Sequence, residues 1–481
     1  MSELRTKTIN GFLWRLAQSF GTQAINFIIG ILIARMLLPE DYGLIAITNV
    51  FVTLANVFVI YGFSSAIIQR ENISDIEISS IFHIGNIASV VLFLLLFFLA
   101  PSLSTFYSEP QLTLVLRVQA LSLVIQSLYS VQQSLITRQL KFRTSFFIGV
   151  ASSVFHGTIG ILLALNGYGV WALVISSLTS YFVSGCLYWC VSKWRPKLRI
   201  DFGSVKSLFS YNSKILFSSL LNTLYGSLRS LIIGKKYDSE TLGYYNKGSQ
   251  FPTTIMNSID GAMTSVLFAS LSRVQNNPEE RLRLLRRSMK MSMFVCAPIM
   301  MGLTAVARSM VVVFLTEKWL DSVPFVRIMA LTCLLWPLSA KIQAINSIGR
   351  SDITLKINIF DVGLSIILVI FATLFLDIFA IAYSAILSTI IVIFVTSLIC
   401  VKLFGYSIKS QICDVLPPFL LSIFMGILAY LIEFFGLSAP LTLMIQILLG
   451  VFVYFGGAFV FKFESLNYSL GFLKSKIYKT K

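Results

Sequence analysis

Histidine and paired cysteines are nearly missing from this chain. Its 481 residues include only two histidines, His83 and His156, and its six cysteines form no C-x-x-C pair. Metal sites and disulfide frameworks need such residues in clusters or at short regular spacings. The sequence therefore indicates neither, and we expect no cofactor. The cysteines lie almost entirely within or beside apolar stretches, where we expect them to be small buried hydrophobic residues.

Charged residues are also scarce. Only 12% of the chain is charged and 56% is hydrophobic, with a mean hydropathy of +0.82. A helix needs roughly 20 mostly apolar residues to cross a bilayer, and such stretches follow one another along the whole sequence. We predict an all-α polytopic membrane protein with spans near residues 10–36, 43–63, 79–100, 112–136, 145–165, 169–191, 211–234, 244–271, 288–316, 322–348, 354–376, 379–401, 415–435 and 441–461.

Acidic residues are outnumbered, with 21 Asp and Glu against 38 Lys and Arg. The placement of the bases argues against nucleic acid as a partner. The connections and ends on the side of the termini hold 26 of them, whereas the opposite side holds 3. Loops rich in Lys and Arg face the cytoplasm, so we predict cytoplasmic termini. In one such loop Asn277-Pro278 predicts a helix start, after which residues 281–290 are expected to lie along the membrane surface.

The sequence contains an internal repeat. Residues 31–43 (ILIARMLLPEDYG) match residues 231–243 (LIIGKKYDSETLG) without a gap, and the segment around Arg117 (VLRVQAL) matches that around Arg327 (FVRIMAL). Two matches in the same order indicate a duplication of six helices, with both copies in one orientation about an axis along the membrane normal. We predict two pseudo-symmetric lobes at 1–200 and 201–405, followed by helices 13 and 14 and a basic cytoplasmic tail at 406–481.

Polar side chains recur along four predicted spans at the spacing of one helix face. Polar groups at membrane depth normally face a bundle interior or a wet cavity. We therefore predict that helices 1, 2, 7 and 8 line a central water-filled cleft between the lobes. The polar positions are Arg15, Ser19, Thr22 and Asn26 in helix 1, Asn49, Thr53 and Asn56 in helix 2, Lys214, Ser218, Asn222, Tyr225 and Arg229 in helix 7, and Lys247, Thr254, Ser258 and Ser265 in helix 8.

We assign nine bases to the membrane interior, with Lys290 and Lys356 counted as loop residues, against two acids, Asp260 and Asp361, so we expect that pairing between them cannot neutralise the surplus. Three of the bases, Arg35, Arg117 and Lys341, suit side chains that extend to the membrane interface. Buried cations in excess suit an anionic ligand, because Arg and Lys bind phosphate. The predicted substrate site consists of Arg15, Asn26, Lys214, Asn222, Arg229, Lys247, Arg308 and Arg327.

Four motifs resemble those of the polysaccharide-biosynthesis flippases of the MOP superfamily, and most of all the Wzx and teichuronic-acid exporter branch. They are ARMLLPEDYG at 34–43, FSSAIIQR at 63–70, LGYYN at 242–246 and EKWL at 317–320. The resemblance covers essentially the full chain. It implies a MATE-like fold in which two six-helix lobes surround a cationic cavity that opens alternately to either side.

By this resemblance the substrate is an oligosaccharide joined through pyrophosphate to undecaprenol. It would move from the cytoplasmic to the outer leaflet of the bacterial cytoplasmic (inner) membrane for surface polysaccharide biosynthesis, with a polysaccharide polymerase and glycosyltransferases as partners. Two other transport functions stay open: a lipid II-type peptidoglycan-precursor flippase and a MATE-like multidrug antiporter, which would need more intramembrane carboxylates. A membrane enzyme would need a catalytic acid, base or nucleophile at a water-accessible site, and the sequence does not indicate one.

Overall fold

The structure, a computed structural model, describes residues 14, 21–59, 67–68, 73–198, 201–274 and 277–466. Within these ranges, the side chains of 202–215 and of seven positions between 262 and 273 are outside the description.

Fourteen long helices make up almost all of the described chain, whose residues include no β-strand. The all-α prediction is confirmed, and most helix ends lie within a few residues of those expected. The helices are α1 (Gly21–Met36), α2 (Pro39–Val59), α3 (Asp75–Tyr107), α4 (Leu112–Arg138), α5 (Phe142–Leu165), α6 (Val170–Val191), α7 (Phe202–Lys236), α8 (Ser239–Arg273), α9 (Pro278–Leu315), α10 (Glu317–Ser347), α11 (Ser351–Phe375), α12 (Ile378–Phe404), α13 (Ile408–Leu431) and α14 (Ala439–Val460).

Eleven of these helices are long and apolar enough to cross a membrane. The chain is thus a multi-pass membrane protein. The other three are α1, whose described part is short, and α7 and α8, which are 35 residues long each. Polar residues interrupt the apolar runs of α7 and α8. The helices that depart most from ordinary spans are therefore three of the four that were predicted to line a cleft.

Helix α9 begins where the sequence predicts but does not follow the membrane surface. The side chain of Asn277 accepts a hydrogen bond from the backbone N–H of Glu280 (3.2 Å), and Pro278 occupies the first turn, as expected of a helix start. From there one helix of 38 residues continues to Leu315. The expected surface helix over 281–290 is wrong, because Leu285 and Met289 are buried and extend the core face of the span.

The chain forms two compact units, Met1–Asn246 and Lys247–Lys481. In the first, α2 packs against α4 and α7, α3 against α4, and α5 against α6. In the second, α9 packs against α10, α13 and α14, and α11 against α12. The predicted lobes divide the chain at 200/201 instead, before α7. That division stays a prediction, since in this structure α7 packs within the first unit.

The duplicated hairpin tips contact each other, and they do so reciprocally. A Cβ atom added to Gly43 in α2 would lie 1.7 Å from the carbonyl oxygen of Ser239, the first residue of α8. A Cβ atom added to Gly243 in α8 would lie 2.0 Å from the carbonyl oxygen of Pro39, the first residue of α2. Each partner is 200 positions from its counterpart, as in the sequence repeat. The contact is therefore a pseudo-twofold contact between the two copies.

The second pair of repeated segments also has matching geometry. Arg117 on α4 donates from Nε to the carbonyl oxygen of Phe97 on the preceding helix (3.1 Å). Arg327 on α10 donates from Nε to the carbonyl oxygen of Thr304 on its preceding helix (3.3 Å). Both repeat matches thus correspond to equivalent positions in the fold, which supports the duplication.

Candidate functional site

The exposed face of α2 is polar. Of its 21 residues, all described, the exposed ones are Glu40, Asn49 and Thr53. Helix α3, by contrast, exposes nine large apolar side chains, among them Phe98 and Phe106. Lipid-facing positions are apolar because hydrocarbon cannot hydrogen-bond polar groups. The exposed positions Asn49 and Thr53 are two of those named from the sequence, and the wet cleft that they would border stays a prediction.

Helix α7 exposes two adjacent ridges of different character. Ser218 and Asn222 form a polar ridge, which continues toward the half-buried Tyr225 and Arg229. Beside it, Phe217, Leu221 and Leu224 form an exposed apolar ridge. The two ridges are about 100° apart, since each member of one follows a member of the other by one residue. Helix α7 thus has one side suited to lipid and one suited to polar groups.

The exposed residues among the described side chains of α8 are Gln250, Asn257 and Gly261, and none is large and apolar. Sequence reasoning missed Gln250 and Asn257, although their spacing of seven is a signal for one helix face. The predicted site residue Lys247 is 5% exposed. It lies inside the packed part of α8, one turn after Gly243, and its substrate role stays a prediction.

The remaining predicted residues of helices 1 and 7 are described unequally. Asn26 on α1 is exposed, but so are Ile28 and Leu32 on the same helix. Arg15 lies outside the described residues, and Lys214 lies in α7 with its side chain outside the description. The substrate roles of Arg15 and Lys214 therefore stay predictions.

Arg308 and Arg327 share a carboxylate partner, Glu433, and lie on α9 and α10 instead of on the polar faces of α2, α7 and α8. Arg308 Nη1 lies 3.5 Å from Glu433 Oε1, and Arg327 Nη2 lies 3.4 Å from Glu433 Oε2. The guanidinium of Arg327 also lies 5.2 Å from the ring centroid of Tyr430. Glu433 follows α13 in a 3-10 turn, Ile432–Phe435. This ion triad gives both bases a partner within the protein, and their substrate role stays a prediction. The count of two intramembrane acids was wrong, because Glu433 lies inside the predicted span 415–435.

Lys341 does not extend to the interface as predicted. Its side chain is 2% exposed, and Nζ donates to Ser397 Oγ on α12 (2.5 Å). Arg117 is held by the carbonyl of Phe97 and lies 4.3 Å from the centroid of the Phe97 ring. The cysteine expectation holds for Cys296, Cys333 and Cys400, which are buried. It is wrong for Cys186, Cys190 and Cys413, which are free and exposed.

The described polar faces carry amides, hydroxyls and one base. Amides and hydroxyls both donate and accept hydrogen bonds, which suits sugar hydroxyl groups. Arg229 adds a guanidinium that suits phosphate. The exposed or half-buried members are Asn26, Asn49, Thr53, Ser218, Asn222, Arg229, Gln250 and Asn257.

A family described as polysaccharide biosynthesis protein matches residues 32–324. The chain belongs to this polysaccharide biosynthesis family. Teichuronic acid biosynthesis protein TuaB of Bacillus subtilis (strain 168) is 26% identical over 472 residues, which cover 94% of this chain and 95% of TuaB. The family resemblance drawn from the four motifs is thereby confirmed.

Two solved structures share the fold. Lipid II flippase MurJ, in an inward closed conformation, aligns with a TM-score of 0.74 at 20% identity, over 94% of this chain and 98% of MurJ. An inward-facing multidrug resistance MATE family transporter of the MOP superfamily aligns with a TM-score of 0.63 at 14% identity, over 82% of this chain and 98% of that chain. The predicted MATE-like fold of this member of the polysaccharide biosynthesis family is confirmed.

Proposed function

We propose that the protein is a flippase that moves an undecaprenyl-pyrophosphate-linked oligosaccharide from the cytoplasmic to the outer leaflet of the bacterial cytoplasmic membrane. The observation that carries the proposal is the polar exposed surface of α2 and α8, two helices of a membrane protein that expose no large apolar side chain in their described parts. Membership of the polysaccharide biosynthesis family supports a glycan as the cargo.

The two ridges of α7 support a substrate that is polar at one end and apolar at the other. Sugars would contact the polar ridge, through groups such as Asn222, while the isoprenoid chain would stay against the apolar ridge that carries Leu221. Arg229, seven residues beyond Asn222 on the same ridge, would bind the pyrophosphate as a bidentate donor. Transport then needs alternating exposure of these faces and no covalent chemistry.

Orientation and partners belong to the same proposal. The excess of Lys and Arg on the side of the termini supports cytoplasmic termini, which is also the side on which lipid-linked glycans are assembled by glycosyltransferases. A polymerase on the outer side would take the product.

Arg229 provides the test of the proposal. We expect Arg229→Ala to lower surface glycan on the order of 10- to 100-fold, because a charge-assisted contact contributes about 1.5–3 kcal/mol. Arg229→Lys keeps the charge but loses the bidentate geometry, so it should retain part of the activity. Surface glycan is measured in a strain that lacks the chromosomal gene, with protein amount followed by blot.

The matched control is Lys236→Ala, which removes one positive charge from the exposed end of the same helix. It should leave surface glycan near the wild-type level. Normal glycan in a well-expressed Arg229→Ala strain would contradict the assignment of Arg229.

A further inference from the structure

The reciprocal contact between Gly43 and Gly243 lies near one end of the polar faces of α2 and α8. Gly43 and Gly243 are both buried, and each is the fifth residue of its helix. The polar faces begin beyond them in the same direction along each helix. Asn49 follows Gly43 by six residues and Gln250 follows Gly243 by seven, which at 1.5 Å per residue is about 10 Å along the helix axis. The contact thus lies at one end of both polar faces.

That end is the side of the membrane opposite the termini. The turn between α7 and α8 is tied there to the turn that follows α3: Ser239 Oγ donates to the carboxylate of Glu109, and Lys235 Nζ donates to the carbonyl of Phe106. Lys235 Nζ also lies 4.4 Å from the centroid of the Phe106 ring. All of these turns join an odd-numbered helix to the next even-numbered one, so they share one face of the membrane.

Apolar residues next to the two glycines are buried. Leu44 and Ile47 after Gly43 are 4% and 1% exposed, and Leu242 before Gly243 is 0% exposed. An added Cβ at Gly234 would meet both Leu242 and Ile47. The contact itself joins backbone to backbone, with each glycine Cα against the other helix's first carbonyl group. Contacts of this kind are individually weak, and small residues allow them because helix backbones can approach closely.

We infer that Gly43 and Gly243 form the closing contact of the substrate path on the side opposite the termini. The inference rests on the proposed function. A seal in which backbone meets backbone through individually weak contacts suits a contact that must open and close in every transport cycle. A methyl group at either glycine would lie within 2.0 Å of a carbonyl oxygen, so the two helix starts would have to move apart and the seal would stay open.

The test measures access to the polar face from outside intact cells. The reporter is Thr53→Cys, at an exposed position of α2, in a variant whose six native cysteines are replaced by alanine, and surface glycan is measured separately in strains that keep Thr53. A membrane-impermeant maleimide is the probe. We expect little labelling with both glycines present, and at least a fivefold increase in Gly43→Ala and in Gly243→Ala, together with loss of surface glycan.

Matched controls are Gly30→Ala on α1 and Gly85→Ala on α3, because an added Cβ at either position meets no atom within 4 Å. Both should label like the parent. Unchanged labelling in well-expressed Gly43→Ala and Gly243→Ala proteins would overturn the inference. If neither variant accumulates, two-sided labelling of the Thr53→Cys parent decides. Strong labelling in inverted vesicles with weak labelling of intact cells supports the seal, and equal labelling overturns it.

The failure of this inference and that of the proposed function are distinguishable. The labelling pattern reports the seal whatever the cargo is. Normal surface glycan in a strain that lacks the gene would refute the proposed function while leaving the labelling result valid.

Discussion

The two hairpin tips reach one geometry with different side chains. At the start of α2, Asp41 Oδ2 accepts a hydrogen bond from the backbone N–H of Leu38 (3.0 Å). At the start of α8, 200 positions later, Asp238 Oδ1 accepts one from the backbone N–H of Thr241 (2.8 Å). Either arrangement satisfies a donor that a helix start leaves open. The feature that both tips keep is the glycine, because each packs against the backbone of the other copy.

The two repeated arginines, Arg117 and Arg327, share one side-chain hydrogen bond and differ in their other contacts. They keep the same bond to the preceding helix, but Arg327 also contacts Glu433 and Tyr430, which come from the segment around the end of α13. Helices 13 and 14 have no counterpart after the first copy. The comparison shows that the copies stayed alike where they contact each other. They diverged where the second copy holds the additional helices.

The largest effect is expected at the ion cluster that fastens α13 to α9. Asp414 has a side chain 4% exposed. It accepts from Arg286 Nε and Nη2 (2.7 and 3.0 Å) and from the Tyr406 hydroxyl (2.7 Å), and Lys290 Nζ lies 3.5 Å away. Burial, and then the bond to Asp414, raise the pKa of Tyr406, so its phenol stays protonated as a donor.

Asp414→Ala removes three hydrogen bonds to a buried carboxylate and should destabilise the protein by about 3 kcal/mol, the upper end of the range for a bond to a charged group, because Arg286 and Lys290 are 43% and 31% exposed and keep access to water. The measurement is thermal unfolding of the purified protein in detergent. Asp414→Asn, which still accepts from Tyr406, should cost less. Equal unfolding temperatures for wild type and Asp414→Ala would show that the cluster does not hold α13.

The loss of stability should be smaller for the two repeated arginines, Arg327 and Arg117, and should differ between them. Arg327→Ala removes the bond to Thr304 and leaves Glu433, whose side chain is 17% exposed, with Arg308 alone. We expect a loss of about 2 kcal/mol, against about 1 kcal/mol for Arg117→Ala, which removes a bond to a carbonyl group. The same unfolding assay compares them. Adding Glu433→Ala to Arg327→Ala should recover part of the loss, and equal effects of the two single variants would contradict the comparison.

The smallest effect is expected for Arg350 and Asp352, a surface ion pair with the same bidentate geometry as Arg286 and Asp414. Arg350 donates from Nε and Nη2 to the two carboxylate oxygens of Asp352 (2.9 and 3.1 Å), but both side chains are at least half exposed. Water and salt screen such pairs. Arg350→Ala should leave the unfolding temperature unchanged within error. A shift as large as that of Asp414→Ala would show that burial is not what distinguishes the two clusters.

The features predicted well from sequence are those encoded locally. Apolar runs predicted the helices, the spacing of Asn49 and Thr53 predicted the polar face of α2, and the repeat predicted two equivalent hairpin tips, although not that their glycines contact each other. Glu433 was left out of the intramembrane acids although it lies in the predicted span 415–435, and at more than 100 positions from Arg308 and Arg327 no local spacing pairs it with them. On α8, polar residues occupy several neighbouring faces, so spacing alone did not select Gln250 and Asn257. Three cysteines were placed inside wrongly, because in a membrane the lipid-facing surface is as apolar as the core.

The most direct test of the central claim is leaflet exchange by the purified protein in liposomes. The probe is the lipid-linked oligosaccharide extracted from cells that lack the gene, and its outward movement is followed with a sugar-modifying enzyme added outside the liposomes. The wild-type protein should make the inner-leaflet pool accessible well within the time in which protein-free liposomes keep it protected, and Arg229→Ala should match the protein-free rate. Protection of the inner pool in the presence of well-folded wild-type protein would contradict the claim that this protein is a flippase for that glycan.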